Sequence, residues 1–92
     1  MSLLGSIALS LAGRDKDRTF VIVGVLDENY VCIANGRERK IEKPKKKKLK
    51  HLRICCKADG ELATLLNENR LTNRTAAKIT ASYHNSPENE KE

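Results

Sequence analysis

The sequence predicts a mostly β fold, a small five-stranded barrel followed by a short C-terminal helical appendix. Short runs of alternating or β-branched apolar residues fill the first part of the chain, and the apolar period becomes helical after it. A chain of 92 residues forms one small domain. We therefore expect a barrel over residues 1–57, a helical appendix over 58–84 and a disordered acidic tail over 85–92, which lacks apolar anchors.

Three strands are predicted before the middle of the chain. In the first, Ile7, Leu9 and Leu11 alternate with small residues, which favours a strand with one buried face. The next two runs, at residues 20–25 and 30–34, are rich in β-forming residues. The first of these runs is expected to be a central strand.

A hairpin is predicted after the third strand. Asn35-Gly36 is the dipeptide preferred in type I′ turns, so residues 37–42 are expected to fold back as a fourth strand. This strand places three side chains on one face: Arg37, Arg39 and Ile41. Pro44 ends the ladder because it has no N–H to donate, and residues 49–55 are predicted as the fifth strand.

Two short helices are predicted in the appendix. Asp59 is suited to cap a helix over residues 60–69, whose apolar stripe consists of Leu62, Leu65 and Leu66. Thr72 or Asn73 is suited to cap a second helix over residues 74–83. Because neither helix is long enough to be stable alone, each is expected to dock on the barrel or on a partner.

The basic residues concentrate in the middle of the chain. Overall, 18 Lys and Arg against 12 Asp and Glu give a net charge of +6. The segment from Asn35 to Arg53 contains ten Lys or Arg and two Glu, so it carries +8 and the rest of the chain carries −2. A linear cluster of lysines neutralises several phosphates at once and releases their counterions. The charge distribution therefore predicts binding to the RNA backbone.

Other chemistries receive little support from the sequence. Structural zinc ligands usually come as short C-x-x-C pairs, and no such pair exists among Cys32, Cys55, Cys56 and His51. We interpret the cysteines as reduced thiols. No third group orients a Cys and His pair for catalysis, and the five glycines are isolated, so we expect no enzyme, no metal and no cofactor. No Lys or Arg precedes Arg14, and the apolar start is too short to span a bilayer. These features indicate a cytoplasmic protein without membrane contact.

Five motifs lie between Ser10 and Leu52 in a fixed order. They are A-G-R-D-K-D-R at 12–18, V-I-V-G-V at 21–25, D-E-N-Y-V at 27–31, N-G at 35–36 and K-P-K-K-K-K-L-K-H-L at 43–52. Their order and spacing resemble KOW-domain RNA-binding proteins, above all the small stand-alone bacterial members related to eukaryote-type large-subunit ribosomal KOW proteins. The resemblance implies an SH3-like (KOW) barrel with RNA, often ribosomal RNA, as its partner.

The sequence departs from this family at one turn position. The family usually has Gly where this chain has Asp17, since a tight turn can require a positive φ or a close approach of the backbone to RNA. Asp tolerates the left-handed region better than most residues, but it adds a negative charge. Three cations remain in the turn: Arg14, Lys16 and Arg18.

We predict an RNA-binding site of twelve basic residues. They come from the turn, the hairpin and the Lys-rich segment, and they are Arg14, Lys16, Arg18, Arg37, Arg39, Lys43, Lys45, Lys46, Lys47, Lys48, Lys50 and Arg53. The lysines are expected to form one solvent-facing row beside the hairpin arginines, which reads backbone and shape because base-stacking aromatic residues are scarce. Arg14 and Arg18 can alternatively pair with Asp15 and Asp17 as ordinary turn charges. His51 is expected at the rim of the barrel, and Tyr30 on its surface.

The predicted function is an RNA-binding module associated with the ribosome or ribosomal RNA. Expected partners are ribosomal RNA and ribosomal, transcription or translation proteins, and the free protein is expected to be a monomer. The alternative is a protein-interaction adapter in transcription or translation, which docks through the barrel or through the leucine stripe of the first helix. The Lys run also matches a nuclear-localisation pattern or a solvated surface loop. A salt titration of RNA binding separates the two main interpretations.

Overall fold

The computed structural model describes residues 3–56 and 60–84, and over them the chain is mostly β, as predicted. Five strands precede two helices in this part of the chain. The strands are β1 (Ile7–Ser10), β2 (Thr19–Val25), β3 (Tyr30–Ala34), β4 (Lys45–Lys48) and β5 (Leu52–Cys56), and the helices are α1 (Gly60–Asn67) and α2 (Asn73–His84). The predicted cap Asp59 and the acidic tail over 85–92 lie outside the described residues.

The five strands form one antiparallel sheet in the order β4-β3-β2-β1-β5. Strands β1 to β4 each pair with their neighbours in sequence, whereas β5 returns to pair with β1. No ladder joins β4 to β5 within the described residues, so these two strands are the edges of the sheet. The predicted five-stranded architecture is confirmed, and strand pairing leaves the sheet open.

One face of the sheet carries an inner core to which four of its strands contribute. The buried members are Ala8, Phe20, Ile22, Val31, Ile33 and Leu52. Strand β1 differs from the predicted pattern, because Leu11 lies beyond its end and is 44% exposed. The small residue Ala8 faces the inner core instead, where it packs among larger residues of the other strands, including Phe20 and Ile33.

The two helices cover the opposite face of the sheet. The buried residues of this second core are Ile7, Val21, Leu62, Leu71 and Ala76. Leu65 and Leu66 pack against it, so the predicted apolar stripe of α1 contacts the protein's own sheet. Thr19 Oγ1 on β2 donates a 2.9 Å hydrogen bond to the carbonyl of Thr80 on α2. Both helices therefore dock on the sheet.

The prediction of a fourth strand over residues 37–42 is wrong. Residues 35–44 form a loop, and β4 lies at the lysines that follow it. Asn35 Oδ1 accepts hydrogen bonds from the N–H groups of Arg37 at 3.0 Å and Arg39 at 3.1 Å. Gly36 has a φ of 77°, but Asn35 has no positive φ, and a type I′ turn requires both. The Asn35 side chain thus closes a compact loop, and Arg37, Arg39 and Ile41 do not share a strand face.

This loop packs directly against the start of α2. A Cβ on Gly36 would clash with the main-chain carbonyl of Asn73. The Asn73 side chain binds the loop through both of its polar atoms. Its Oδ1 accepts from the Ile41 N–H at 2.8 Å, and its Nδ2 donates to Glu42 Oε1 at 2.7 Å. The hydrogen bond from Asn73 lowers the pKa of Glu42.

Local signals set the ends of the helices. Helix α1 ends at Asn67, two residues before its predicted end, because Asn69 adopts a left-handed φ of 57°. Backbone hydrogen bonds of 3.1 and 2.8 Å from residues 69 and 70 complete a Schellman ending. At the start of α2, Thr72 Oγ1 accepts from the Thr75 N–H at 3.1 Å. Of the two predicted caps, Thr72 therefore caps this helix.

The fifth strand begins later than predicted. The segment Leu49–His51 forms a 3-10 turn, and β5 runs from Leu52 to Cys56. The carbonyl of His51 accepts a 2.8 Å hydrogen bond from the Leu11 N–H, which joins this turn to the end of β1. His51 is half-buried, as expected for a residue at the rim.

Candidate nucleic-acid interface

Strand β4 consists of four consecutive lysines whose side chains alternate between the two faces of the sheet. Lys45 and Lys47 pair with inner-core residues of β3, so they point to the inner side. Lys46 and Lys48 lie on the outer face. The sequence predicts these lysines as one solvent-facing row. Because side chains alternate along a strand, the row is instead split into two inner and two outer lysines.

The ammonium groups of the inner lysines contact the turn between β1 and β2 (residues 11–18), which we call the β1–β2 turn. Lys47 is only 8% exposed, and its Nζ donates a 2.9 Å hydrogen bond to the carbonyl of Ala12. Lys45 Nζ lies 3.2 Å from Asp15 Oδ2. These two contacts fasten β4 to the β1–β2 turn.

Asp15 is the centre of a buried ion-pair cluster. Its side chain is 5% exposed, and its Oδ2 accepts hydrogen bonds from Arg39 Nη2 at 3.1 Å and Nε at 3.3 Å, in addition to the Lys45 contact. Burial raises the pKa of Asp15, but the hydrogen bonds and charges of Arg39 and Lys45 outweigh burial and lower it overall. The charged carboxylate joins the β1–β2 turn, the loop over 35–44 and β4.

Sequence reasoning missed this role of Asp15 and treated it as a local turn charge. Its partner Arg39 lies 24 residues away in the chain, so no local pattern links the two residues. Asp17 likewise lies between two basic residues yet is exposed, so the sequence held no signal that distinguishes Asp15.

The outer lysines surround the ring of Tyr30. Lys46 Nζ lies 4.5 Å from the ring centroid, and Lys48 Nζ lies 5.8 Å from it. Such cation–π contacts hold the side chains without neutralising their charge. Tyr30 is half-buried on the outer face, as predicted for a residue that packs on the sheet surface.

An open cleft of about 560 Å³ lies beside the outer lysines. It is lined by Glu28, Asn29, Tyr30, Lys48, Leu49 and Lys50. Its walls are held by a 2.7 Å hydrogen bond from the Leu49 N–H to the Asn29 carbonyl. Asp27 Oδ1 also accepts from the N–H groups of Asn29 and Tyr30, at 2.7 and 2.9 Å. The sequence did not indicate that Glu28 and Asn29 lie beside the lysines.

The β1–β2 turn contains a strained position at Asp17. Its φ of 70° is the left-handed conformation for which the resembled family uses Gly. The Asp17 N–H donates a 2.8 Å hydrogen bond to the Ser10 carbonyl, and the Ser10 N–H donates one of 2.9 Å to Arg18. Of the two reasons for a Gly at this position, the structure shows the positive φ. Arg14 and Lys16 are exposed on the same turn.

Arg18 pairs with Glu38 and not with the turn carboxylates Asp15 or Asp17. Arg18 Nη1 lies 3.1 Å from Glu38 Oε2, and the two side chains are 53% and 43% exposed. Glu38 also accepts a 2.8 Å hydrogen bond from Asn35 Nδ2, which lowers the pKa of Glu38. An exposed pair of this kind contributes about 0–1 kcal/mol. Arg18 therefore remains accessible to a ligand.

The twelve predicted residues fall into three groups. Arg39, Lys45 and Lys47 bind protein groups around the β1–β2 turn. Surface contacts within the chain are made by Arg18, Lys46 and Lys48. The others are exposed and form no ion pair with the described residues: Arg14, Lys16, Arg37, Lys43, Lys50 and Arg53. Contact between any of these residues and RNA remains a prediction.

The other candidate groups stay separate in the fold. Cys32, Cys55 and Cys56 are not linked to one another by disulfide bonds. Within residues 3–56 and 60–84, no cluster of three or more His, Cys, Asp or Glu is arranged to hold a metal ion. The Tyr83 hydroxyl donates to Cys56 Sγ at 3.1 Å, which links α2 to β5. Neither described helix has the length and apolar character needed to cross a membrane.

Comparison with known proteins identifies the family. No protein-family model matches the chain. Large ribosomal subunit protein eL14 of Desulfurococcus amylolyticus is 30% identical to it over 77 residues, which cover 75% of this chain and 80% of that protein. The chain belongs to the eL14 family. This family is a KOW-domain ribosomal family without enzymatic members, which agrees with the resemblance and with the expectation that the chain is not an enzyme.

Proposed function

We propose that this eL14-family chain is a ribosome-associated RNA-binding module that contacts the phosphate backbone of ribosomal RNA. The observation that carries the proposal is the overlap of the family assignment with a +8 segment in which Lys43, Lys46 and Lys50 are exposed. The finer predictions belong to the same proposal: a small stand-alone bacterial member of the KOW group, a role in translation in the cytoplasm, and a monomeric free state.

The contact surface in this proposal combines the outer lysines of β4 and Lys50 with exposed arginines from other segments of the chain. Lys46 and Lys48 stand beside the open cleft, and Lys50 lines the same cleft. Ammonium groups in such a row neutralise successive phosphates and release condensed counterions. Arg14 and Arg37 add planar donors that can bind a phosphate through two parallel hydrogen bonds. Backbone contacts of this kind position RNA without reading its bases.

Of the two surfaces that the sequence offers for the adapter alternative, the leucine stripe of α1 packs against the protein's own sheet. Leu62 is 5% exposed, and Leu65 and Leu66 pack against the second core. The leucine stripe of α1 therefore cannot contact a partner without leaving the sheet. This observation leaves the β-sheet surface as the docking surface of the adapter alternative, and the binding experiment below includes both outcomes.

Because the lysine side chains of β4 alternate between the two faces of the sheet, the strand provides a matched pair of double variants. Lys46→Gln/Lys48→Gln removes two outer charges, whereas Lys45→Gln/Lys47→Gln removes two inner charges from the same strand. RNA affinity would be measured against salt concentration with a large-subunit ribosomal RNA transcript. If six basic residues contact phosphates, log K against log salt has a slope of roughly −4 to −5 for the wild type. The outer variant is expected to reduce the magnitude of that slope by roughly 1.4 to 1.8.

The inner variant serves as the control in this experiment. It is expected to lower the free energy of unfolding by more than the outer variant does, because Lys45 and Lys47 bind Asp15 and the Ala12 carbonyl. A flat wild-type slope, or an outer variant with wild-type affinity, contradicts the proposal and favours the adapter. Co-sedimentation with ribosomal subunits before and after a high-salt wash provides the second measurement. The proposal expects binding to the large subunit that the wash removes.

A further inference from the structure

We infer that Asp15 is a positioning residue for RNA binding. It holds Arg39 and Lys45 as internal anchors, so that its exposed neighbours Arg14 and Lys16 are presented to RNA in a fixed geometry. This inference rests on the proposed function. It divides the basic residues into those that contact RNA and those that hold the contact surface in place.

The first support is the geometry of the carboxylate. Asp15 is 5% exposed in its side chain, although the residues on both sides of it are exposed. Three donor atoms lie within 3.3 Å of Oδ2, two from Arg39 and one from Lys45. A carboxylate with these partners fixes the backbone of its own residue relative to the 35–44 loop and β4.

The second support is that the rest of the β1–β2 turn is fixed at both ends. Lys47 binds the Ala12 carbonyl before Asp15, and the Asp17 N–H binds the Ser10 carbonyl after it. Within the turn, the Lys16 N–H donates to the Gly13 carbonyl at 3.2 Å. The backbone at Arg14 and Lys16 is therefore fixed on both sides before RNA binds. RNA binding then has to order only the two side chains.

The third support is that the anchors are poorly placed to reach a phosphate. The Arg39 and Lys45 side chains are 29% and 33% exposed, and their charged ends face Asp15. Moving either onto RNA would leave a buried carboxylate without one of its counter-charges, which is costly. These two residues thus contribute to affinity through the position of the turn.

The inference makes a prediction opposite to that of simple electrostatics. Removing a negative charge from a protein that binds a polyanion should tighten binding through Coulomb attraction alone. If Asp15 positions the turn, Asp15→Asn weakens RNA binding, because Arg14 and Lys16 must then be ordered at the moment of association. The expected loss is roughly tenfold, and the salt slope becomes less steep by about 1 to 2 as their phosphate contacts are lost.

Asp17→Asn is the matched control. It removes the same charge from the same turn, and Asn tolerates the left-handed conformation of that position. Its RNA affinity is expected to equal or exceed that of the wild type. Binding of both variants would be measured with the large-subunit ribosomal RNA transcript at several salt concentrations, at a temperature where circular dichroism shows both to be folded. Tighter binding by Asp15→Asn with a steeper slope overturns the inference, because it means that the released cations contact RNA.

A second experiment tests the inference if Asp15→Asn fails to fold. Arg39→Gln removes one anchor but leaves Asp15 paired with Lys45, so the salt slope is expected to fall by less than the loss of one phosphate contact. Lys48→Gln is its positive control and is expected to reduce the slope by about 0.7 to 0.9. An Arg39→Gln slope that falls as far as that of Lys48→Gln overturns the inference. Failure of the proposed function is distinguishable, since the wild-type protein itself would then show no salt-dependent RNA binding.

Discussion

Lys47 Nζ donates a 2.9 Å hydrogen bond to the main-chain oxygen of Ala12, and the side chain is buried between β4 and the β1–β2 turn. One lysine in a run of four is therefore a structural residue, although its neighbours Lys46 and Lys48 lie on the opposite face. The distinction follows from strand geometry and leads to a measurable difference in stability.

Lys47→Ala is expected to lower the free energy of unfolding by about 1–3 kcal/mol, because it removes both a buried aliphatic stem and a charged hydrogen bond. Lys46→Ala, at the next position, is expected to change it by less than about 1 kcal/mol, because it loses only an exposed cation–π contact. Urea unfolding followed by circular dichroism measures both variants. Equal losses would show that the inner and outer positions of β4 are not energetically distinct.

Gly36→Ala is expected to destabilise the protein by more than about 3 kcal/mol or to prevent folding. Its φ of 77° disfavours any Cβ, and the added atom would clash with the Asn73 carbonyl, so the loop must separate from α2. Gly24→Ala is the control, since its Cβ would lie 3.6 Å from Cys32 Cβ, an ordinary contact. The free energy of unfolding of that variant is expected to lie within about 1 kcal/mol of the wild-type value. Thermal and urea unfolding distinguish the two variants, and similar stability for both would contradict the close approach of loop and helix.

Asp17→Gly is expected to raise the free energy of unfolding by about 0.5–1 kcal/mol, because Gly adopts a φ of 70° without steric cost. Asp17→Ala is expected to lower it by about 1 kcal/mol, since Ala tolerates the left-handed region less well than Asp. RNA affinity of Asp17→Gly is expected to match or exceed that of the wild type, because a negative charge is removed from the turn. A marked loss of RNA affinity would mean that Asp17 itself makes a contact with RNA.

The stability of the protein is expected to fall in acid partly through Asp15. The pKa of Asp15 is lower in the folded chain than its ordinary value, so the unfolded state takes up protons first as the pH falls. The stabilisation by Asp15 is therefore fully present above the ordinary Asp pKa and is lost as the pH falls through the lowered folded value. At neutral pH, Asp15→Asn is expected to cost about 2–3 kcal/mol.

Urea unfolding of the wild type and Asp15→Asn between pH 7 and pH 2 measures this dependence. The difference in unfolding free energy between the two proteins is expected to shrink as the pH falls. A difference that stays constant over this range would show that the carboxylate charge contributes nothing to the cluster around Arg39 and Lys45.

Most of the strands could be predicted from the sequence because their signals are local. Strand β3 begins and ends where its apolar run does, and β2 starts one residue before its predicted start. The hairpin at Asn35-Gly36 could not be resolved in this way. A side chain that hydrogen-bonds its own loop competes with the turn that the dipeptide favours, and the choice depends on the distant contact between Gly36 and α2.

The sequence predicted which basic residues the candidate site contains, but not where their side chains lie. A run of like charges shows how much charge a segment carries, but the face of each lysine depends on the register with β3. The ion pairs of Asp15 are non-local, so the sequence alone could not assign Arg39 and Lys45 to it. The left-handed turn at Asp17, in contrast, was signalled by a single position of the resembled family.

The lysines of β4 also lie at an open edge of the sheet, where unpaired backbone groups invite another strand. Any second copy that added to this edge would bring lysine against lysine along the whole strand. A bound polyanion relieves that repulsion, so Lys46 and Lys48, which are proposed to contact RNA, also discourage the free protein from polymerising through its sheet.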